Sequence, residues 1–252
     1  MKRIAEAGGP LVTAMIQCPT PEECIHRIHD SLKAGAEALG VQLCQLKREY
    51  RTPEHLKAIF DACGDRVIYV TSYRVGQSAG LSDEECVELL LLAGRCGATL
   101  LDVPADLFCK EENGITYDEA AVVKQKALVD EIHAMGCEAL ISTHHQGPSS
   151  LEEIMAIGRA QVERGTDEVK IVVKDTDIRQ LPVYITALQR LAAEMGKPVL
   201  FLPSGPCGTF LRRIGIELGC CMALTVVDHG PLDTVQQPVI GEVLAIRENL
   251  HA

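Results

Sequence analysis

Tryptophan is absent, and the aromatic residues together make up only 4% of the 252-residue chain. Single-stranded nucleic acids are held on exposed aromatic platforms, so that class of partner is not expected. A basic excess is missing as well. Lys and Arg number 24 against 35 Asp and Glu, for a formal net charge of −11, whereas phosphate backbones are bound by clustered cations. No apolar run reaches the ~18 residues that span a bilayer, so no membrane partner is expected. The N-terminus, Met1-Lys2-Arg3-Ile4-Ala5-Glu6-Ala7-Gly8-Gly9-Pro10, lacks the continuous apolar stretch of a signal peptide, which points to a cytoplasmic protein. The 11 cysteines include no Cys-x-x-Cys pair, and only Cys220 and Cys221 are close in sequence. An odd number in so long a chain reads as small apolar core residues in a reducing compartment, not as a disulfide scaffold. Gly-x-Gly-x-x-Gly, His-x-His and His-Glu-x-x-His are all missing, and with them the common signatures of nucleotide and metal sites.

What is present is a hydrophobic fraction of 47%, enough for one large core or two small ones. Short β-rich runs alternate with longer helical patterns. The runs predict strands at 11–16, 41–46, 67–72, 99–103, 139–143, 169–173, 199–202 and 222–227. Several are continuously apolar, such as Ile171-Val172-Val173 and Val199-Leu200-Phe201-Leu202, as in parallel strands covered on both faces. Four helical segments open with a capping-box spacing: Thr20 with Glu23, Ser82 with Glu85, Thr116 with Glu119, and Ser149 with Glu152. Pro21 and Pro53 fall at first helical positions, where a missing N–H costs nothing. Eight strand–helix units in about 250 residues predict an α/β fold, a (β/α)8 TIM barrel, as a single domain over residues 1–252. A doubly wound sheet is the rival, but it usually carries the Gly-rich first turn absent here.

Active-site groups of such barrels lie at the C-terminal ends of the strands. The polar residues there are Gln45, Lys47, Arg74, Asp102, His144, His145, Lys170, Ser204, Asp228 and His229. Lys170 precedes Ile171-Val172-Val173 and so starts or sits inside a buried strand. Desolvation there would lower its pKa and leave a neutral amine able to attack a ketone. The alternative is a lysine at the lower end of the strand, reaching out to solvent. Lys174 competes with it but is placed to face water. His144 lies on the neighbouring strand and suits a general base, or else a hydrogen-bonded structural histidine. His144, His145, His229, Asp102 and Asp228 could surround a divalent ion, although no metal-ligand spacing supports that, and no metal is expected. Ser204-Gly205-Pro206-Cys207-Gly208 reads either as an anion-binding loop helped by Arg212 or as a tight strand-to-helix turn that needs glycine.

These residues resemble the type I 3-dehydroquinate dehydratase family over nearly the whole chain, as a divergent member. Ser72-Tyr73-Arg74 is similar to the family's Thr-Phe-Arg. Ser142-Thr143-His144-His145 resembles the segment holding the catalytic histidine, and Glu168-Val169-Lys170-Ile171 the segment holding the Schiff-base lysine. Gly205 to Arg212 resembles the segment with the carboxylate-binding arginine, and Gln237 falls on the glutamine of the loop that covers the substrate. The resemblance implies a hydro-lyase of the shikimate/quinate pathway that converts 3-dehydroquinate to 3-dehydroshikimate and water. Lys170 and His144 would be catalytic, Arg212 would hold the substrate carboxylate, and Arg74 would contact ring hydroxyls. The implied partner is a small carboxylated hydroxyketone. No cofactor is implied, and assembly as a homodimer is.

The recognition positions depart from the family pattern. Its Glu-x-Arg after the second strand is set against Gln45-Leu46-Lys47. The glutamate that tunes the histidine is set against Ser78, the serine of the final loop against Asp233, and a serine near the first strand's end against Met15. Loss of a carboxylate beside the histidine should lower its basicity. Asp233 should repel an anionic substrate unless Lys47 compensates. Three other readings therefore stand beside the dehydratase: a Schiff-base lyase or aldolase for another hydroxylated or phosphorylated ketone, a non-catalytic ligand-binding relative, and a metal-dependent barrel hydrolase.

Overall fold

A computed structural model describes residues 3–251. Eight parallel strands alternate with eight helices: β1 (Leu11–Ile16), α1 (Pro21–Lys33), β2 (Ala38–Gln42), α2 (Pro53–Asp61), β3 (Val67–Thr71), α3 (Asp83–Cys96), β4 (Leu100–Pro104), α4 (Glu119–Ala134), β5 (Glu138–His145), α5 (Leu151–Glu163), β6 (Glu168–Lys174), α6 (Leu181–Glu194), β7 (Val199–Ser204), α7 (Pro206–Ile214), β8 (Met222–Thr225) and α8 (Ile240–His251). The sheet runs β7-β6-β5-β4-β3-β2-β1-β8. Beside β8, Cys221 N–H donates to the carbonyl of Val199 at 2.8 Å, drawing the two edges together. The architecture is the (β/α)8 barrel that the alternation of elements predicts.

The strands sort their side chains by the two-residue period of the pleat. One set faces the helices and forms the larger apolar core, which includes Val12, Leu39, Val70, Leu101, Ile141, Ile171 and Phe201. The other set fills the barrel interior: Met15, Ala38, Val67, Tyr69, Leu100, Leu140, Leu200, Leu202, Met222 and Leu224, with Ile4 beneath. Gly40 is a glycine for a steric reason. A Cβ there would run into the Met15 sulfur and crowd the Tyr69 ring.

Seven strands fall within two residues of the predicted boundaries, and the second does not. It runs over Ala38–Gln42 instead of 41–46. It includes the small residues Ala38 and Gly40, whereas Leu43, Cys44 and Leu46 bury themselves in the turn that follows. An apolar pattern reports burial, and a buried turn mimics a strand. Two caps also move. Asp118 caps α4, with Thr116 bonded to the Asp118 N–H. Ser150 and Glu153 form the capping box of α5, one residue beyond the predicted pair. Thr20 and Ser82 cap α1 and α3 as the spacing predicts.

Two buried ionisable side chains brace the frame. Arg164, 3% exposed, donates to the Ala105 carbonyl at 2.8 Å, to Gln125 Oε1 at 2.8 Å and to the Thr116 carbonyl at 2.5 Å. It thereby pins the long connection after β4. Arg164→Ala leaves these acceptors without a donor and is expected to cost about 3 kcal/mol. A lower urea midpoint at unchanged slope would register this.

Glu168 lies at the lower end of β6, 1% exposed, with Oε1 accepting from the Cys221 thiol at 3.0 Å. Burial pushes its carboxyl up to about 8. The folded protein therefore holds a proton that the unfolded chain releases near pH 4.5. That contribution is complete below pH 4.5 and is lost as pH rises toward 8 and beyond. Glu168→Gln should flatten the fall in stability between pH 6.5 and 8.5. Urea unfolding at those two pH values measures it, and equal slopes in both proteins would refute the assignment.

Candidate active site

The site grows from β3, β4, β5 and β6, whose inward positions line up in register. Ser142 of β5 pairs with Lys170 of β6, and His144 with Val172. Asp102 of β4 pairs with Thr71 of β3 and Leu140 of β5. Lys170 therefore stands mid-strand inside the barrel, 3% exposed, and does not reach solvent. Its Nζ donates to Tyr69 Oη at 2.7 Å, to Tyr73 Oη at 2.5 Å and to Asp102 Oδ2 at 3.0 Å. Lys174, at the far end of the strand, is exposed.

Asp102 is fully buried and supplies the countercharge. Both phenols also donate to its Oδ2, Tyr73 at 2.7 Å, and Ser142 Oγ donates to Oδ1 at 2.5 Å. Burial alone would raise its carboxyl. The ammonium and the three hydroxyls outweigh burial and hold it below the usual carboxylate range. Burial and the Asp102 charge push both phenols well above their ordinary value, so they stay protonated. α5 locks the strand from outside: Gln161 Nε2 donates to the Lys170 carbonyl at 2.9 Å, and the Lys170 N–H donates to Gln161 Oε1 at 3.1 Å.

His144 lies edge-on to Tyr73, with ring centroids 5.0 Å apart and Nε2 3.3 Å from the phenol oxygen. Burial, with the Lys170 and Arg212 charges added, pushes the imidazole down to about 3, against a smaller opposing pull from Asp102. It is a neutral base throughout the physiological range.

Arg212 descends into the same cavity from α7. Its Nε donates to the Pro203 carbonyl at 2.9 Å, and it is 8% exposed. Burial lowers its pKa to about 10, which still leaves it charged at neutral pH. Among the described residues no carboxylate pairs with this guanidinium. α7 packs this closely because of two glycines. Gly205 adopts φ +85°, and a Cβ there would strike the Asp175 carbonyl, while one on Gly208 would strike that of Pro203. The Cys207 N–H at the helix start faces Asp175 Oδ1 at 3.4 Å, so a side chain of the protein already occupies that position.

Lys170, His144, Arg212 and Gln237 line one cavity of about 210 Å³, together with Met15, Gln42, Tyr69, Tyr73 and Thr234 among others. Gln42, Tyr73 and His144 also border an adjoining cavity of about 600 Å³ that holds Arg74 and Asp106. Arg74 faces that outer space and is already bound to Asp83 at 2.8 Å and Asp106 at 2.6 Å.

Four predicted recognition residues lie elsewhere. Gln45 and Lys47 follow β2 by three and five residues and do not line the inner cavity; Gln42 does, because the strand ends four residues earlier than the apolar pattern predicts. Ser78 is buried in the turn after β3 with its hydroxyl unpartnered, and it lines neither of these two cavities. Asp233 is neutralised by Arg27 at 3.0 Å and accepts from Gln17 Nε2 at 3.0 Å, so Arg27 does what Lys47 was expected to do. Gln17 also donates to Gln237 Oε1 at 3.0 Å, which fixes that amide over the cavity. Arg27 further binds the exposed Asp228 at 2.6 Å, and His145 Nδ1 turns to Gly147 and Ser149. Among the described residues no three His, Cys, Asp or Glu side chains converge as metal ligands. Tyr69, Tyr73, Gln42 and Gln17 were not singled out from sequence. The pleat's period, counted back from the end of β3, places Tyr69 on the inner face.

A (β/α)8 barrel whose mouth gathers a buried lysine, a neutral histidine and an arginine without a carboxylate partner among the described residues has the makings of an enzyme site for a small molecule. The sequence profile of the type I 3-dehydroquinase family matches residues 12–250. The chain belongs to that family and is a lyase of the hydro-lyase kind. It is 24% identical over 231 residues to a 3-dehydroquinate dehydratase of Klebsiella pneumoniae, covering 88% of this chain and 86% of that one. The barrel is similar to that of 3-dehydroquinate dehydratase from Geobacillus kaustophilus, with TM-score 0.82 and 17% identity over 96% of this chain and 91% of the other. It is also similar to the type I enzyme from Clostridium difficile carrying covalently modified comenic acid, with TM-score 0.80, 17% identity and coverages of 96% and 93%.

Proposed function

We propose that this chain dehydrates 3-dehydroquinate to 3-dehydroshikimate through a Schiff base on Lys170. The ring ketone condenses with Nζ, and the iminium draws electrons from the adjacent C–H bond. His144 removes that proton as a neutral base. The resulting imidazolium then gives a proton to the departing hydroxyl, and hydrolysis of the imine frees the product. Arg212 takes the substrate carboxylate, and Gln237 closes over it. Charge-assisted bonds from a buried guanidinium are strong and directional, which orients the ring over Nζ.

One observation carries this reading. A buried amine, a neutral imidazole and a guanidinium without a carboxylate partner line a single cavity of about 210 Å³. A buried cation left unpaired is costly, so the arrangement fits a protein completed by an anionic ligand. Incubation with 3-dehydroquinate should produce the ultraviolet absorbance of a conjugated enone. No absorbance change at any pH from 6 to 9 would overturn the reading.

The ligand class that suits the site is a small carboxylated hydroxyketone. Among the described residues no helix is long and apolar enough to cross a membrane. A cytoplasmic setting is supported by the cysteine pattern of the sequence, and a homodimer by the family resemblance.

A further inference from the structure

Imine formation from a charged lysine requires two protons to leave Nζ and to reach the ketone oxygen, which departs as water. The chain R–NH3+ plus ketone becomes R–NH+=C plus H2O, with charge and hydrogens conserved. Asp102 is the nearest anion to Nζ, but it is fully buried and already accepts from three hydroxyls and the ammonium. Tyr69 touches Nζ and Asp102 but has no bond to His144. One atom touches both the lysine and the histidine: the Tyr73 oxygen, 2.5 Å from Nζ and 3.3 Å from His144 Nε2.

We propose, resting on the dehydratase reading above, that Tyr73 is a catalytic residue which relays protons between Lys170 and His144 during imine formation. The phenol hydrogen turns from Asp102 toward Nε2. An N–H bond of the ammonium breaks, leaving its electron pair on Nζ, and the proton joins the Tyr73 oxygen. The original phenol proton passes to Nε2 in the same event. Tyr73 ends as it began, Nζ is a free nucleophile, and the imidazolium holds the proton that the carbonyl oxygen needs. After attack on the carbonyl carbon, the second Nζ proton follows the same path, and the hydroxyl leaves as water. The inner cavity also borders the Tyr73 ring, so the relay stands beside the incoming ketone. Asp102 keeps the relay centred on Nζ because it holds Tyr73 at 2.7 Å.

The family pattern has phenylalanine at this position, so Tyr73→Phe removes one oxygen from a ring the fold accommodates. Single-turnover mixing with 3-dehydroquinate, quenched with borohydride and read by mass spectrometry at Lys170, measures imine formation directly. At pH 7 the variant should form the adduct about 30-fold more slowly, less than the ~100-fold of a full general base because water substitutes in part. KM should change less than kcat. The defect should shrink toward pH 10, where abundant hydroxide can accept the Nζ proton in place of the phenol, and a merely structural loss would not recover in this way. Wild-type adduct formation with an unimpaired variant, or with an equal defect at every pH, would overturn the relay alone. Failure of the wild type to form any adduct would overturn the relay and the dehydratase reading together. Thermal unfolding of the variant within a few degrees of wild type confirms that the comparison is between folded proteins.

Discussion

Lys170→Met is expected to lower kcat on 3-dehydroquinate at least about ten-thousand-fold, because no other amine can offer a covalent route at the effective concentration the barrel supplies. Lys174 does not replace it, since it is exposed at the end of β6 and outside the cavity. Borohydride should then fix no mass on the protein. The substitution has a second consequence. Asp102 keeps the hydroxyls of Tyr69, Tyr73 and Ser142 but loses its only countercharge within 3.0 Å. Breaking one side of a buried pair costs about 3–5 kcal/mol, far more than the pair itself contributes. Pairing Lys170→Met with Asp102→Asn should therefore restore most of the stability and none of the activity. That separation is the test: an inactive but stable double variant ties the loss to chemistry, whereas recovered turnover would remove Lys170 from the reaction. Circular dichroism and urea titration of the two variants supply the stability arm.

Arg212→Leu comes second, with kcat/KM lowered about a thousandfold. Truncating one partner of a buried, hydrogen-bonded charge pair costs about 2–5 kcal/mol, and each 1.4 kcal/mol is a factor of ten. The loss should appear mainly in KM, since the guanidinium holds a group remote from the reacting bonds. The free protein should become no less stable. Without ligand, Arg212 is a desolvated cation with one bond to the Pro203 carbonyl and no carboxylate partner among the described residues. Arg212→Lys should recover only part of the affinity, because a point charge cannot reproduce a two-pronged bond to a carboxylate. Isothermal titration with a substrate analogue, run beside one lacking the carboxylate, separates the cases. If wild type and Arg212→Leu bind both analogues with the same ratio, Arg212 is not the carboxylate site.

The charges of the site also bear on how so acidic a chain would take the proposed anionic substrate. The net charge of −11 lies elsewhere, and the cations facing the inner cavity are Lys170 and Arg212. Among the described residues, only Lys170 of the two has a carboxylate partner. Arg74, which looked like a further recognition group, is bound to two aspartates and contributes shape more than charge.

The amino-acid order by itself determined the number and type of elements and the barrel they form, and its family resemblance picked out Lys170, His144, Arg212 and Gln237 as candidate site residues. Periodicity and caps are local properties, and residues three or four apart reveal them without the rest of the molecule. Other features depended on distances between strands far apart in sequence. Gln42, not Gln45 or Lys47, lines the cavity because β2 runs over Ala38–Gln42, with Gly40 packed against Met15 and Tyr69, and ends before Gln45. Arg27, 206 residues from Asp233, cancels its charge across the barrel mouth. Tyr69 and Tyr73, two of only five tyrosines, meet a lysine about a hundred residues away. The buried ammonium, its aspartate and the phenol leading to His144 exist only where β3, β4, β5 and β6 are held in register. The sequence names the candidate reacting groups, while the packed sheet sets their surroundings and brings them within reach of one another.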